Sequence, residues 1–158
     1  MDIKVLVATH KKYWMPRDNM YLPIQVGAVL NNKLGYITDD EGDNISAKNP
    51  YYSELTALYW AWKNLKCDYL GLCHYRRYLG HKNKWYLLSG TLQRKHMILK
   101  EADCTLLLSQ FDIILPKKRN YYIETIKSHY AHAHNLNDLE AVQQIIEELY
   151  PEYNTAFN

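Results

Sequence analysis

The chain has few cysteines and phenylalanines, and it has neither a long hydrophobic run nor an excess of charge of one sign. Its 158 residues include three cysteines and two phenylalanines. The cysteines are odd in number and have no CxxC spacing, which argues against both a disulfide framework and a structural zinc site. Apolar runs such as 106–108 and 113–115 are far shorter than the roughly 18 residues of a membrane-spanning helix. We therefore expect reduced, buried thiols and no membrane span.

The balance of charge argues against one further class of function. Lysine and arginine number 19, aspartate and glutamate number 17, and the net charge is +2. Proteins that bind nucleic acid nonspecifically have a strongly basic surface, and this composition does not predict one. The basic and aromatic stretch 74–86 is better explained as a phosphate site. Residues Met1–Lys4 also lack the basic start and apolar stretch of a signal peptide. These features predict a cytoplasmic protein that binds no nucleic acid.

The signatures of several common enzyme classes are missing. The sequence contains no Walker loop, no GxGxxG, no GxSxG and no cysteine–histidine nucleophile pattern. Nucleotide-dependent phosphoryl transfer, dinucleotide redox chemistry and serine hydrolysis therefore lose their usual support. The acidic loop 39–43 is similar to a calcium loop, but Asn44 and Pro50 stand where such a loop needs glycine and glutamate. A divalent ion shared between a carboxylate and a pyrophosphate stays open and is not favoured.

Three histidines near the end of the chain, His129, His132 and His134, have the chemistry of metal ligands. Two of them share one helical face, but neither spacing matches a common zinc helix. For His132, polar contacts with a hydroxylated acceptor are a better interpretation, and a helix that simply faces solvent is better still. We expect no bound metal and no other cofactor.

Polar aromatic residues are unusually abundant. The chain has 15 tyrosines and four tryptophans, whose rings pack on one side and form hydrogen bonds on the other. Such side chains suit flat, hydroxyl-rich ligands such as sugars and bases. They also fill ordinary half-buried positions, and the count alone favours that structural interpretation.

Strands and helices alternate along the chain, which predicts a single α/β domain over residues 1–158 with a right-handed parallel crossover. The patterns predict strands at 4–9, 34–37, 69–75 and 111–116, and a loop with at most one short element over 13–34. Helices are predicted from Asn49–Pro50 onward, within 91–100, over 121–134 and from Asn137 to Pro151, with a helical turn near Asp103 and a basic loop over 79–90.

The helix that begins at Asn49–Pro50 has an apolar stripe at helical spacing. Its members are Leu55, Leu58, Tyr59, Trp62 and Leu65. The stripe predicts that Trp62 belongs to the core, whereas Trp60 lies off it and is free to face a partner.

Polar residues follow every predicted strand, and ligands of parallel α/β sheets bind at the carboxyl ends of strands. They are Thr9, His10 and Lys11 after the first strand, Asp39, Asp40 and Asp43 after the second, His74, Arg76 and Arg77 after the third, and Lys117, Lys118 and Arg119 after the fourth. Carboxylates accept hydrogen bonds from sugar hydroxyls, and arginine binds phosphate bidentately, so a nucleotide sugar fits this set. The alternative is that loops are polar in any protein. The two adjacent arginines favour the functional interpretation.

Several motifs together carry a family resemblance: 8–13 (ATHKKY), 34–40 (LGYITDD), 42–46 (GDNIS), 48–56 (KNPYYSELT), 59–64 (YWAWKN), 71–78 (GLCHYRRY) and 112–116 (DIILP). In order and spacing they resemble a bacterial family of capsular and exopolysaccharide biosynthesis proteins. That family was long known only as a domain of unknown function and is now linked to glycosyltransferases, including galactofuranosyltransferases. The likeness extends over nearly the whole chain.

The resemblance implies a GT-A-like, Rossmann-like domain with a mostly parallel sheet flanked by helices. Such a protein transfers a sugar, galactofuranose being one candidate, from a UDP-sugar donor to a lipid-linked oligosaccharide acceptor at the inner face of the membrane, where contact would be peripheral. Many GT-A enzymes hold a metal with Asp-x-Asp, but here 74–76 (HYR) stands at that place. We therefore expect cationic side chains to neutralise the leaving diphosphate.

Members of the family continue beyond the position of Phe157, so a shortened chain is a further expectation. The alternative function is then a non-catalytic nucleotide- or glycan-binding remnant of such an enzyme.

The resemblance and the strand-end pattern together give a set of predicted site residues. The predicted substrate-binding residues are Thr9, His10, Asp39, Asp40, Asn49, Tyr52, His74, Arg76, Arg77 and His132. Three carboxylates, Asp43, Glu54 and Asp112, are candidates for the catalytic base or stabiliser. Asp112 also opens a predicted strand, and Glu54 lies in a first helical turn where the helix dipole favours any carboxylate.

Overall fold

The computed structural model of the chain describes residues 1–81, 90–118 and 120–157. Arg119 and residues 82–89, which include part of the predicted basic and aromatic stretch, lie outside the described residues. The chain divides into two compact units, Met1–Pro116 and Lys117–Asn158. The single domain expected over residues 1–158 stays a prediction.

The first unit is built on a four-stranded parallel sheet. Its strands are β1 (Ile3–Thr9), β2 (Tyr21–Gln25), β3 (Ile37–Thr38) and β4 (Tyr69–His74), in the order β3-β2-β1-β4. Ala8 of β1 lies opposite both Ile24 of β2 and His74 of β4. Because all four strands run in the same direction, their carboxyl ends meet at one edge. The predicted α/β class with a parallel sheet is confirmed.

Alternating side chains of β1 supply a core on each face of the sheet, since successive strand residues point to opposite faces. Leu6 and Ala8 belong to one buried cluster, together with Ala57, Trp60 and Ala61 of a covering helix. Ile3 and Val7 belong to the other, together with Met20, Tyr21, Tyr75, Leu99 and Cys104. Burial on both faces is typical of parallel sheets.

Four helices accompany the sheet in the described part of the first unit. They are α1 (Asn49–Tyr52), α2 (Leu55–Asn64), α3 (Thr91–His96) and α4 (Glu101–Leu108), with short 3₁₀ helices at Ala28–Leu30 and Ser46–Lys48. The helices predicted within 91–100 and near Asp103 are confirmed as α3 and α4.

The second unit is helical, with α5 (Ile126–Ala131), α6 (Leu136–Leu149), a 3₁₀ helix at Pro151–Tyr153 and α7 (Asn154–Phe157). The helix predicted from Asn137 is confirmed as α6, although Asn135 is its N-cap and accepts a hydrogen bond from the Asn137 N–H. Helix α5 is shorter than the predicted 121–134.

The predicted burial of helix α2 is wrong. Trp60 is 9% exposed and its indole N–H donates to the carbonyl of Glu41, whereas Trp62 is 68% exposed. Leu55 and Leu58 of the predicted stripe are exposed as well. The sheet is covered instead by Thr56, Ala57, Trp60 and Ala61. Small residues let the helix lie close to the strands, and one large ring fills the remaining space, so tertiary packing overrides the apolar pattern.

Several other predicted elements also differ from the structure. The helix expected to run from Asn49 is interrupted at Ser53, whose φ of 47° ends α1, and Asn49 is the first helical residue rather than the cap. Residues 111–116 are not a strand, and Ile113 and Leu115 are exposed. Strand β2, of five residues, lies within the stretch 13–34, for which a loop with at most one short element is predicted. The short strand predicted over 34–37 is the two-residue β3.

The cysteines are free, as predicted, and Cys104 is buried while Cys67 and Cys73 are partly buried. Burial raises the pKa of the Cys73 thiol to about 12. No helix in the described ranges is long and apolar enough to cross a membrane.

Candidate functional site

A cavity of about 250 Å³ lies at the carboxyl edge of the sheet, and we call it the edge cavity. The ends of β1 and β4 and the junction of α1 with α2 contribute most of its wall. Its lining residues are Ala8, Thr9, His10, Val26, Asn49, Ser53, Glu54 and His74. Five of the predicted site residues, Thr9, His10, Asn49, Glu54 and His74, are therefore brought together here.

The α1–α2 wall of the cavity is fixed by Asn49. Its side-chain amide donates to the carbonyl of Ser53, with an N···O distance of 2.7 Å, and to the hydroxyl of Thr56 at 3.1 Å. Gly27 has a φ of 62°, and a Cβ at this position would lie 2.7 Å from Asn49 Oδ1. Both the backbone conformation and the space beside Asn49 therefore require glycine here.

Asp39 joins the segments behind this wall. Its carboxylate is fully buried and accepts hydrogen bonds from the backbone N–H groups of Gly27 and Ala28 and from the hydroxyls of Ser46 and Thr56. It is not among the lining residues of the edge cavity. In the structure Asp39 connects β3, the two 3₁₀ helices of the first unit and α2. Its predicted contact with the substrate stays a prediction.

His74 has a defined pattern of hydrogen bonding. The backbone N–H of Arg76 donates to its Nδ1 at 3.2 Å, so in the neutral ring the proton lies on Nε2, which faces Glu54 Oε1 at 3.8 Å. Partial burial lowers the pKa of His74, and the positive charges of Arg76, Arg77 and His10 lower it further, while Glu54 opposes them. The neutral ring is therefore favoured, and the positive charge at this strand end comes from the two arginines.

The ring of Tyr75 is buried behind the cavity and organises the charged groups around it. His10 and Tyr13 contact this ring edge-on, with centroid distances of 5.4 and 5.0 Å. Lys11 Nζ and the Arg76 guanidinium lie 5.6 and 5.3 Å from the ring centroid. Cations attracted to the face of a tyrosine are thus held next to the strand end.

The two arginines after β4 are exposed. The backbone N–H of Arg77 donates to the carbonyl of His74 at 2.7 Å, which closes a tight turn. Arg76 lines a second, larger cavity beside the edge cavity. The segment 74–76 therefore forms a wall between the two cavities, with the His74 imidazole on one side and the Arg76 guanidinium on the other.

The three candidate catalytic carboxylates lie in different parts of the structure. Glu54 precedes α2 and lines the edge cavity. The carboxylate of Asp43 accepts a hydrogen bond from the Tyr59 hydroxyl in the middle of α2, and the backbone of Asp43 is bonded to the Asn64 side chain at the far end of this ten-residue helix, which is about 15 Å long. Asp112 is exposed in a segment without regular secondary structure. Glu54 is thus the carboxylate that the fold brings to the cavity.

The other predicted residues lie elsewhere. Asp40 is 3.8 Å from the Lys33 ammonium, and Tyr52 is exposed on α1. His132 belongs to the second unit, where its Nδ1 lies 3.2 Å from Glu124, which His129 also contacts. No cluster of three potential metal ligands occurs in the described part of the chain.

Sequence reasoning missed three residues of the edge cavity and its surroundings. Gly27 and Val26 follow β2, and recognition of that strand would have indicated them. Ser53 carries no signal, because serine rarely adopts a positive φ.

A parallel sheet with polar residues at successive strand ends defines a ligand-binding α/β domain. The chain belongs to the family described as "Domain of unknown function (DUF4422)", whose sequence model matches residues 4–158. It is similar to a solved structure, the apo form of WbbM, a bifunctional glycosyltransferase, with a TM-score of 0.82 and 32% sequence identity. The match covers 99% of this chain and 30% of that chain, so this chain spans less than a third of its relative. No curated protein matches the sequence.

These comparisons support a glycosyltransferase-related family, which confirms the coarser part of the resemblance drawn from the motifs. The likeness extends over both units, and the edge cavity lies in the first of them at the carboxyl edge of the parallel sheet, so it is the candidate functional site.

Proposed function

We propose that the chain is the donor-binding domain of a glycosyltransferase of capsular or exopolysaccharide biosynthesis. In this proposal it transfers a sugar, galactofuranose being the first candidate, from a UDP-sugar to a lipid-linked oligosaccharide. The observation that carries the proposal is the edge cavity, where hydroxyl-binding side chains lie next to exposed arginines at the end of β4. Similarity to a bifunctional glycosyltransferase supports it independently.

The side chains of the cavity suit the two halves of such a donor. Glu54 and Asn49 carry acceptor oxygens for sugar or ribose hydroxyls, and Ser53 adds a hydroxyl. Arg76 and Arg77 follow directly after the cavity wall, and arginine binds phosphate oxygens bidentately. The diphosphate therefore extends from the cavity towards the arginines, which stabilise the negative charge of the leaving group without a metal ion.

Glu54 is the proposed base. The bond between the anomeric carbon and the diphosphate oxygen breaks, a bond forms from that carbon to an acceptor hydroxyl oxygen, and the hydroxyl proton passes to the carboxylate. His74, with its proton on Nε2 facing Glu54, is a positioning residue for this carboxylate.

Calorimetric titration of UDP, UDP-galactopyranose and UDP-galactofuranose, with and without manganese, tests the donor site. We expect metal-independent binding that Arg76→Ala weakens at least about tenfold, since a charge-assisted hydrogen bond contributes about 1.5–3 kcal/mol. Uridine lacks the diphosphate and should bind both proteins equally. Lys63→Ala removes an exposed cation on α2 and is the matched control. Binding that requires manganese and ignores Arg76 would contradict the proposal.

A turnover assay with a lipid-linked acceptor tests the role of Glu54. We expect Glu54→Gln to retain UDP binding and to lose transfer of the sugar. Donor binding by the unaltered chain without any transfer would instead favour the non-catalytic binding remnant.

A further inference from the structure

The larger cavity beside the edge cavity has a volume of about 450 Å³, and we call it the aromatic cavity. Tyr13, Trp14, Tyr75 and Tyr78 contribute rings to its wall. Tyr13 is 49% exposed and Trp14 is 37% exposed, so part of each side chain is available to a ligand. Trp14 is held in place by an edge-on contact with Tyr78 at a centroid distance of 6.0 Å. Rings arranged in this way present flat apolar surfaces that are already ordered before a ligand binds.

Cations share this cavity with the rings. Arg76, Arg94 and Lys95 line it, and no carboxylate does so among the described residues. Lys95 Nζ lies over the Trp14 ring, 4.4 Å from its centroid. In the described ranges, neither Arg76 nor Lys95 forms an ion pair with a carboxylate. Unpaired positive charge beside aromatic faces favours a ligand that has both a phosphate and a ring.

The position of the aromatic cavity relates it to the proposed reaction. His74 lines the edge cavity, and the next two residues line the aromatic cavity, so ligands in the two cavities would meet at the end of β4. A transferase has to hold two substrates next to each other in this way. A neighbouring cavity of about 370 Å³ shares Trp14 and Lys95 and adds Arg17, Lys100 and the carboxylate of Asp18.

We propose that the aromatic cavity binds the acceptor through a glycosyl phosphate group, with the sugar ring against Trp14 and Tyr13 and the phosphate on Lys95. The inference rests on the proposed function, because it assigns the second substrate of the same reaction. The same chemistry, a sugar attached to phosphate, also occurs at the sugar end of the donor. The experiment therefore has to separate these two sources.

The probe is α-D-galactose 1-phosphate, followed by the NMR signal of the Trp14 indole N–H in the full chain, with and without saturating UDP. Trp14→Phe assigns the signal. We expect saturable binding in the presence of UDP, weakened about tenfold by Lys95→Ala and restored largely by Lys95→Arg. Lys63→Ala is the matched control, because Lys63 also lies over a tryptophan ring, that of Trp62, but outside the cavity.

Two results would overturn the inference. Displacement of the probe by UDP would assign the aromatic cavity to the donor itself, and equal binding by the wild type and Lys95→Ala would remove the phosphate contact. Failure of UDP to bind, with probe binding that still depends on Lys95, would instead refute the donor site and leave a glycosyl phosphate site. Thermal unfolding of each variant establishes that the fold is retained.

Discussion

At the scale of single residues, Asp39 is the buried carboxylate that supports the wall of the edge cavity. A buried carboxylate is costly unless donors surround it, and Asp39 has four of them from three separate segments. Asparagine has nearly the same shape, but its amide nitrogen would face hydrogen-bond donors. The structure therefore requires hydrogen-bond acceptors at both oxygen positions and not only the size of the side chain.

We expect Asp39→Asn to lower the free energy of unfolding by about 3 kcal/mol, because buried donors lose their acceptor. Urea denaturation followed by circular dichroism measures this change. Asp43→Asn alters an exposed carboxylate and should leave the unfolding midpoint almost unchanged. Equal midpoints for the two variants would show that the hydrogen bonds of Asp39 contribute little.

The titration of His74 gives a second prediction. Its lowered pKa means that the folded state favours the neutral ring, so its contribution to stability is present above the unfolded-state pKa and is lost as the pH falls through the folded-state pKa. We expect Arg76→Ala to raise the pKa of His74 and Glu54→Gln to lower it further. NMR titration of the imidazole ring measures both shifts, and shifts in the opposite directions would contradict the described geometry.

At the scale of elements, α2 shows where packing and sequence pattern disagree. Trp60→Ala should reduce the free energy of unfolding by about 3–5 kcal/mol, because it removes a buried ring and leaves a cavity against the sheet. Trp62→Ala removes an exposed ring and should cost less than about 1 kcal/mol. Urea denaturation of the two variants tests the orientation of the helix, and a reversed order would support the apolar stripe instead.

The elements that the sequence predicts well are those whose signal lies within a few consecutive residues. Strands β1 and β4 are short apolar runs with a polar residue after each, and these runs indicated Thr9, His10 and His74 correctly as strand-end residues. Strand β2 was missed because Pro23 interrupts its pattern. Proline is tolerated there since β3 pairs only with Ile24 and Gln25, which leaves no strand beside Pro23 on that side, while Val7 of β1 lies opposite it on the other side.

The parts of the site that sequence reasoning could not supply depend on distant contacts. The break at Ser53 needs a backbone conformation for which serine has no preference, and it is held by the hydrogen bonds that the Asn49 amide and the Thr56 backbone N–H donate to the Ser53 carbonyl. The burial of Asp39 depends on how β2, β3 and α2 come together. Family resemblance indicated that these residues matter, but it could not separate a residue that lines the cavity from one that supports the wall.

At the scale of the whole molecule, the two units differ in how much they bury. Both hydrophobic clusters consist of residues from the first unit. In the second unit, none of the helices contains a buried residue in the described part of the chain. Local stability follows buried apolar contact, so the two units should differ in their resistance to opening.

Hydrogen exchange of the intact chain measures this difference. We expect the amides of α6 to be at least about 100-fold less protected than those of β1, although α6 is the longer element. Both are regular hydrogen-bonded structures, so the comparison isolates the effect of burial. Equal protection of α6 and β1 would mean that buried contact does not set the stability of the second unit.

The hydrogen bonds of Asp39 also bear on the order of events during folding. They connect residues 27 and 28, 46 and 56, which are separated from Asp39 by up to 17 positions and belong to different elements. Such contacts form only after the loops between these elements have closed, and these loops are much shorter than the one that closes when Ile3 of β1 pairs with Tyr69 of β4. Shorter loops cost less entropy to close, so we expect the Asp39 hydrogen bonds to form before that pairing. Loss of the carboxylate would then slow folding more than it accelerates unfolding. The support behind the wall of the edge cavity would thus be in place before the sheet is complete.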